Sequence, residues 1–325
     1  MGATFVFLSS AIAALAMIAA FGILLLRRWW QERQRSAERE MLGAITRSYM
    51  QRVAGQKADE TAPNWSDRLR LEAVSHIHLL LRGGERHRLM QMAELDGLLK
   101  ATLRSSRAWR SSRRIDAIRL LQQFGSEACI ARLREIFARD RDYAVRLEAA
   151  FALAGVYALP PPRETIRILG MFSRKTNRLD RALLRASAPH FPEQLAMLLQ
   201  DEISNHHRAL IIDALGWAET ASVLPFIEDA SRCEEEELRS AALQAAAQAG
   251  FPSAQEWVIA RLHDPIAFVR IQAVNACASL GLRDAVTALR SLQNDQDLWV
   301  KLRVEHALEV LEDQWPNVEA RGLLA

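Results

Sequence analysis

Residues 264–281 read DPIAFVRIQAVNACASLG. The stretch begins as a turn, continues as an amphipathic helix and closes on Gly281, a residue that tolerates the left-handed backbone that ends helices. It carries no recognisable catalytic motif. Its interest lies in its return along the chain. VRIQAVNACASLG from Val269 is matched by LRSAALQAAAQAG from Leu238, by Arg208 ahead of ALIIDALGWA, and by VKLRVEHALEVL from Val300. The basic residues Arg208, Arg239, Arg270 and Lys301 therefore recur at a step of 31. Upstream, Arg181, Arg146, Arg114 and Arg70 continue the series at looser steps of 27, 35, 32 and 44.

A period of this length is the mark of stacked supersecondary units. Each unit reads as two helices. The first offers small residues for close approach (Ala242 and Ala246; Ala273 and Cys277; Ala149 and Leu153), and the second supplies larger ones, such as Val286, Leu289 and Leu292, or Ile130, Leu133 and Ile136. One pair cannot bury its apolar face alone, whereas stacked neighbours bury it together. Asp140/Arg146, Asp264/Arg270 and Asp295/Lys301 share a D-x5-R/K spacing, and Arg114/Gly125, Arg239/Gly250 and Arg270/Gly281 share R-x10-G. On these motifs the chain resembles the HEAT repeat family, in its short PBS-lyase-like form, over about residues 66–313. The resemblance implies an all-α solenoid of about seven to eight helix pairs and a surface for protein partners. It also implies a structural role, in turns and between repeats, for Asp140, Arg146, Arg208, Arg239, Asp264, Arg270, Asp295 and Lys301. The prolines of LPPPRET (159–165) and ASAPHFPEQ (186–194) set apart an irregular stretch near 160–200.

Composition agrees with a helical protein. Among 325 residues there are only 14 glycines and 10 prolines, and the net charge is only +3. That near balance weighs against nucleic acid as a partner. Cys129, Cys233 and Cys277 are odd in number and lack a C-x-x-C spacing, which reads as reduced thiols.

The front of the chain differs. Residues 3–26, ATFVFLSSAIAALAMIAAFGILLL, carry no charge over 24 positions. As a helix they extend about 36 Å, enough for a hydrocarbon core of about 30 Å. Arg27, Arg28, Trp29 and Trp30 follow, a charged stop and two residues suited to the membrane interface. The exit lacks the small-x-small pattern of a cleaved leader. The expectation is a single transmembrane helix at 3–26 contacting the bilayer, then a juxtamembrane helix at 27–54, a polar linker at 55–65 and a tail at 314–325. The arginines after the span put the N-terminus outside and the repeats in the cytoplasm, at an inner (plasma) membrane. Leu42, Ile45, Tyr49 and Val53 form one helical stripe, read as packing on the domain, with a homodimer seam as the alternative.

Catalytic chemistry is hard to find. There is no phosphate-binding glycine loop, no H-E-x-x-H and no G-x-S-x-G. Two enzymatic branches are known among proteins with such repeats. The metal-dependent hydroxylases rely on His-Glu dipeptides, and none of the eight histidines here is followed by Glu. No cysteine or histidine marks a tetrapyrrole site of the bilin lyase kind. The reading is therefore no catalytic residue, no metal and no cofactor. The candidate binding surface is basic: residues 100–119 hold seven Lys or Arg against Asp116 alone, with Arg104, Arg107, Arg110 and Arg113 around Trp109. It suits phosphate groups, lipid headgroups or an acidic partner, against a plainer reading as a repeat junction with Trp109 in the core. CEEEEL (233–238) reads as acids at a helix start, or as a dock for a basic partner. Together these features describe a membrane-anchored cytoplasmic scaffold that binds membrane-associated proteins. The alternatives are a groove-binding enzyme of the lyase type and a lipid or nucleic-acid binder acting through 100–119.

Overall fold

The computed structural model describes residues 2–56 and 65–313, with side chains throughout from residue 36 to 312 and before it only those of Met17, Phe21, Gly22, residues 27–30, Glu32 and Arg33. Among the described residues there are helices and no strand. They group into two compact units that divide between Cys129 and Ile130.

The first unit begins with α1 (Gly2–Val53), a single helix of 52 residues. The expected span at 3–26 and juxtamembrane helix at 27–54 run on as one continuous helix. Residues 27–42 contain neither Gly nor Pro, and Arg28 pairs with Glu32 one turn on at 2.9 Å, so nothing interrupts the backbone. Among the described residues no helix is long and apolar enough to cross a membrane; most side chains of 3–26 lie outside them. Trp29 and Trp30 are exposed, and Arg33 stacks over the Trp29 ring. The linker residues 57–64 and the tail 314–325 also lie outside the described residues.

The stripe at Leu42, Ile45, Tyr49 and Val53 is spent within the chain. It packs on α2 (Asp67–Leu80) and α3 (Gly83–Leu95), burying Ile45, Tyr49 and Val53 with Val74, Ile77, Leu89 and Ala93. A dimer seam on this stripe is therefore already occupied. Asp96 locks the same corner. It accepts two hydrogen bonds from Arg52 at 2.7 and 3.1 Å and one from the Tyr49 hydroxyl at 2.7 Å, with Arg70 at 3.1 Å. Burial and the bond to Asp96 push the Tyr49 pKa up to about 12, so the phenol stays protonated and donating. Short α4 (Leu98–Ser105) and then α5 (Ser111–Phe124) complete this unit, and α6 (Glu127–Arg139) crosses the boundary.

The second unit is a regular array. One layer contains α9 (Arg178–Ser187), α11 (Asn205–Leu215), α13 (Glu236–Ala249), α15 (Ala267–Leu280) and α17 (Leu298–Asp313), each packed on the next. The other contains α8 (Pro162–Leu169), α10 (Pro192–Met197), α12 (Leu224–Ser231), α14 (Gln255–Ala260) and α16 (Val286–Ser291), several of them extended by a 3-10 turn. Ahead of both lies α7 (Tyr143–Gly155), packed on α8 and α9. The seam of the first layer is small-sided: Ala242, Ala246, Ala273 and Cys277 are fully buried. At Gly250 and Gly281 the backbone turns left-handed (φ 71° and 65°), ending α13 and α15.

The prolines near 160–200 do not break the array. Pro162 and Pro192 stand in the first turn of α8 and α10, where a missing N–H costs nothing. The stretch holds α8, α9 and α10, so the alternation of the two layers continues through it.

The tightest approach in the layer is at Gly216, at the end of α11. Its φ is an ordinary −62°. A Cβ there would lie 2.6 Å from the Ala245 Cα and 2.8 Å from its carbonyl oxygen in α13. Gly216→Ala is expected to lower stability by about 2 kcal/mol through overpacking, despite the better helix propensity of alanine. Urea unfolding monitored by circular dichroism measures this, and an unchanged or higher midpoint would contradict the contact.

Candidate functional site

The repeated arginines meet the repeated aspartates in space. Arg239 donates from Nε and Nη2 to the two carboxylate oxygens of Asp264, at 2.8 and 3.0 Å. Arg270 does the same to Asp295, at 2.9 and 2.8 Å. Each pair is 25 residues apart and joins one repeat to the next. The third guanidinium nitrogen turns back. Arg270 Nη1 donates to the carbonyls of Asp264 and Pro265, and Arg239 Nη1 to those of Cys233 and Glu234, so each arginine also closes the turn before its own helix. The aspartates are bifunctional too: Asp264 accepts from the Ile266 amide and Asp295 from the Asp297 amide. Arg146 and Arg114 make the backward bonds, to the Asp140 carbonyl and to the Ala108 and Trp109 carbonyls, and Asp140 accepts from the Asp142 amide. Lys301, in the arginine position, carries no fork; its charge lies near Asp295.

Within the 31-residue series one rung is missing. Counting 31 back from Asp264 gives Cys233, the position that should receive Arg208. Arg208 reaches only the Asp201 carbonyl, at 3.5 Å, and its Nε has no hydrogen-bond partner among the described residues. Burial pushes the Cys233 thiol up, so it is not an anion there.

Several ion pairs lie outside the sequence pattern. Arg185 forks onto Asp213 at 2.8 and 2.7 Å, one helical turn beyond the Arg181 position, while Arg181 itself is exposed. Fully buried Asp180 collects the Tyr143 hydroxyl at 2.9 Å, Arg174 and the Asn177 amide. Neither follows the D-x5-R spacing. Arg70 and Asp96, 26 residues apart, lie at nearly the 25-residue interval of the forked pairs.

The basic run 100–119 lies partly in a groove and partly outside it. Arg104 and Arg113 line a groove of about 980 Å³ with Arg68 and Arg119, but Asp67, Glu72 and Asp116 line it too. Arg104 lies 3.6 Å from Asp67. Arg107, Trp109 and Arg110 stand outside it. Trp109 is not in the core: it is 76% exposed, with Arg110 stacked over its ring. The helix-start glutamates Glu234–Glu237 are all exposed. Among the described residues no group of three or more His, Cys, Asp or Glu is arranged to hold a metal ion.

Residues 225–309 match the family model for HEAT repeats. No curated protein matches the chain. Among solved structures it is similar to human deoxyhypusine hydroxylase (16% identity, TM-score 0.34, covering 86% of this chain and 98% of that one). It is also similar to the CpcE–CpcF complex of phycocyanin lyase from Nostoc (16%, 0.35, 66% and 94%). A third likeness is to a designed armadillo repeat protein in complex with the peptide (KR)4 (17%, 0.22, 84% and 98%). Residues 225–309 therefore carry HEAT repeats, in a chain that is helical and without strands among the described residues.

Arg239 and Asp264 are both nearly inaccessible (8% and 0% of their side chains exposed). Arg239→Ala strands that carboxylate and is expected to cost about 3 kcal/mol. Burial raises the Asp264 pKa, but the bonds from Arg239 and the Ile266 amide outweigh it, so the net shift is downward. A carboxylate with a depressed folded pKa contributes stability that is complete above its unfolded value, about 4, and lost as pH falls through the folded value. Asp264→Asn should therefore be less stable than wild type at pH 7, with the gap closing on acidification below about pH 4. Urea titrations at stepped pH read this directly; a pH-independent gap contradicts it. Cys233→Asp should restore the missing rung and raise stability by about 1 kcal/mol, and a fall would mean that Arg208 is not waiting for a carboxylate.

Proposed function

We propose that this protein is a non-enzymatic, membrane-tethered adaptor whose repeats bind protein partners on the cytoplasmic side. In this reading it serves as an accessory subunit of a membrane enzyme, transporter or envelope-assembly complex. The observation that carries the adaptor reading is the use of the repeated charged groups. Arg239, Asp264, Arg270 and Asp295 are consumed in joining one repeat to the next, as the forked bonds between them require. What the array leaves to solvent includes the helix starts at Glu234–Glu237, Phe268 and Trp299, a surface suited to recognition.

The tether rests on the sequence: 24 uncharged residues followed by Arg27, Arg28, Trp29 and Trp30. Those four side chains are exposed, as residues meeting an interface would be. Confinement to a membrane raises the effective concentration of the repeats near membrane partners.

Crosslinking in intact cells, mild-detergent capture of the full chain and mass spectrometry test the reading. Stoichiometric membrane proteins are the expected yield. A co-purifying metal or chromophore with no protein partner would favour a groove-binding enzyme and overturn it. Protease added outside intact spheroplasts should spare the repeats; their rapid digestion would reverse the topology.

A further inference from the structure

One position of the repeat, two residues before each basic residue, changes character along the second unit. Its occupants, at a step of 31, are His206, Glu237, Phe268 and Trp299. The structure shows that residues at this step meet across neighbouring helices: His206 Nδ1 lies 2.8 Å from Glu237 Oε1, and beside them Asn205 Nδ2 donates to Glu235, 30 residues on, at 3.0 Å. The same rim then turns apolar. At the start of α15, Phe268 is 53% exposed; at the start of α17, Trp299 is 66% and Leu298 64% exposed, with Leu302 one turn on at 45%. Large apolar side chains grouped in water mark an interaction site, and Trp is prominent among residues that dominate binding energy. Immediately before them on the rim stand Glu234–Glu237, all exposed.

We infer that the rim formed by the starts of α13, α15 and α17 docks an extended segment of a partner protein, with two apolar side chains three residues apart and Lys or Arg three residues further on. The spacing argument is geometric. Packed helices lie about 8–10 Å apart, so Trp299, Phe268 and the glutamates are successive stations at that interval. A polyproline-type chain rises about 9.3 Å in three residues and brings every third side chain to the same face. Apolar anchors then meet Trp299 and Phe268, and the basic residue meets the acidic start of α13. A basic segment is selected by charge, since Glu234 and Glu236 stand exposed at the start of α13, on one side of the aromatic pair. The inference rests on the adaptor reading and names the kind of segment that the adaptor takes.

The test uses the purified full chain and two fluorescein-labelled peptides, one containing Phe-Pro-Ser-Leu-Pro-Ser-Arg-Arg and one with that order reversed, followed by fluorescence anisotropy. One of the two directions is expected to bind saturably. The double variant Phe268→Ser/Trp299→Ser should weaken it at least about tenfold. Glu234→Lys/Glu236→Lys should also weaken it and flatten its salt dependence, and both variants should keep the wild-type melting curve because none of these side chains is buried. Absence of saturable binding by either peptide overturns the inference, as does wild-type affinity in the folded Phe268→Ser/Trp299→Ser variant. A wild-type dimer in sedimentation velocity that this variant converts to monomer would give the rim to a second copy and overturn it equally. In all three cases crosslinked partners would still be recovered, and the adaptor reading would stand without this rim.

Discussion

The regular part of this molecule depends on one forked ion pair used twice. An arginine inside one repeat holds its own turn closed with one nitrogen and grips the aspartate of the next repeat with two others. That aspartate is at the same time shaping the turn that follows it. Local turn geometry and long-range stacking therefore share the same atoms. Arginine is suited to this because its planar fork matches both carboxylate oxygens while a nitrogen remains for backbone carbonyls. Burial makes the arrangement demanding, since neither partner tolerates the loss of the other.

Small side chains supply the complementary condition. Alanines and Cys277 along the first layer let helices approach closely enough for the fork to span the gap. Larger residues of the second layer, such as Leu262 and Leu289, then cover that seam. The thiol of Cys277 belongs to this packing: burial pushes its pKa up to about 12, which leaves it a small apolar group.

Much of this was legible before any coordinates. The 31-residue step made Arg239, Arg270, Asp264 and Asp295 recognisable as a set, because identical helix pairs must repeat identical chemistry at identical intervals. The glycines after α13 and α15 were legible for the same reason. Legibility ended where the interval changed. Arg185 and Asp213 sit a helical turn away from the expected places, so spacing could not pair them, and Asp180 answers to Tyr143 and Arg174 across an irregular connection. Proline misled in a different way. Its bias against helix applies to the residue before it, and Pro162 and Pro192 use that bias to begin helices rather than to end them. Trp109 shows the limit of reading hydrophobicity as burial: a tryptophan in a short loop between α4 and α5 has no layer above it. The apolar rim at Phe268 and Trp299 was hidden because a helix start reads as structure until exposure is known.

The junction between α11 and α13 departs from its neighbours at both ends. At the turn end the arginine lacks its carboxylate, because Cys233 stands in its place, and the links that remain there, Asn205 to Glu235 and His206 to Glu237, are solvent-exposed and individually weak. At the far end Gly216 brings the two backbones into direct contact. The two ends of this joint are therefore held by different chemistry: exposed polar links, open to salt and pH, at the turn end, and backbone van der Waals contact at the other, which neither salt nor pH reaches.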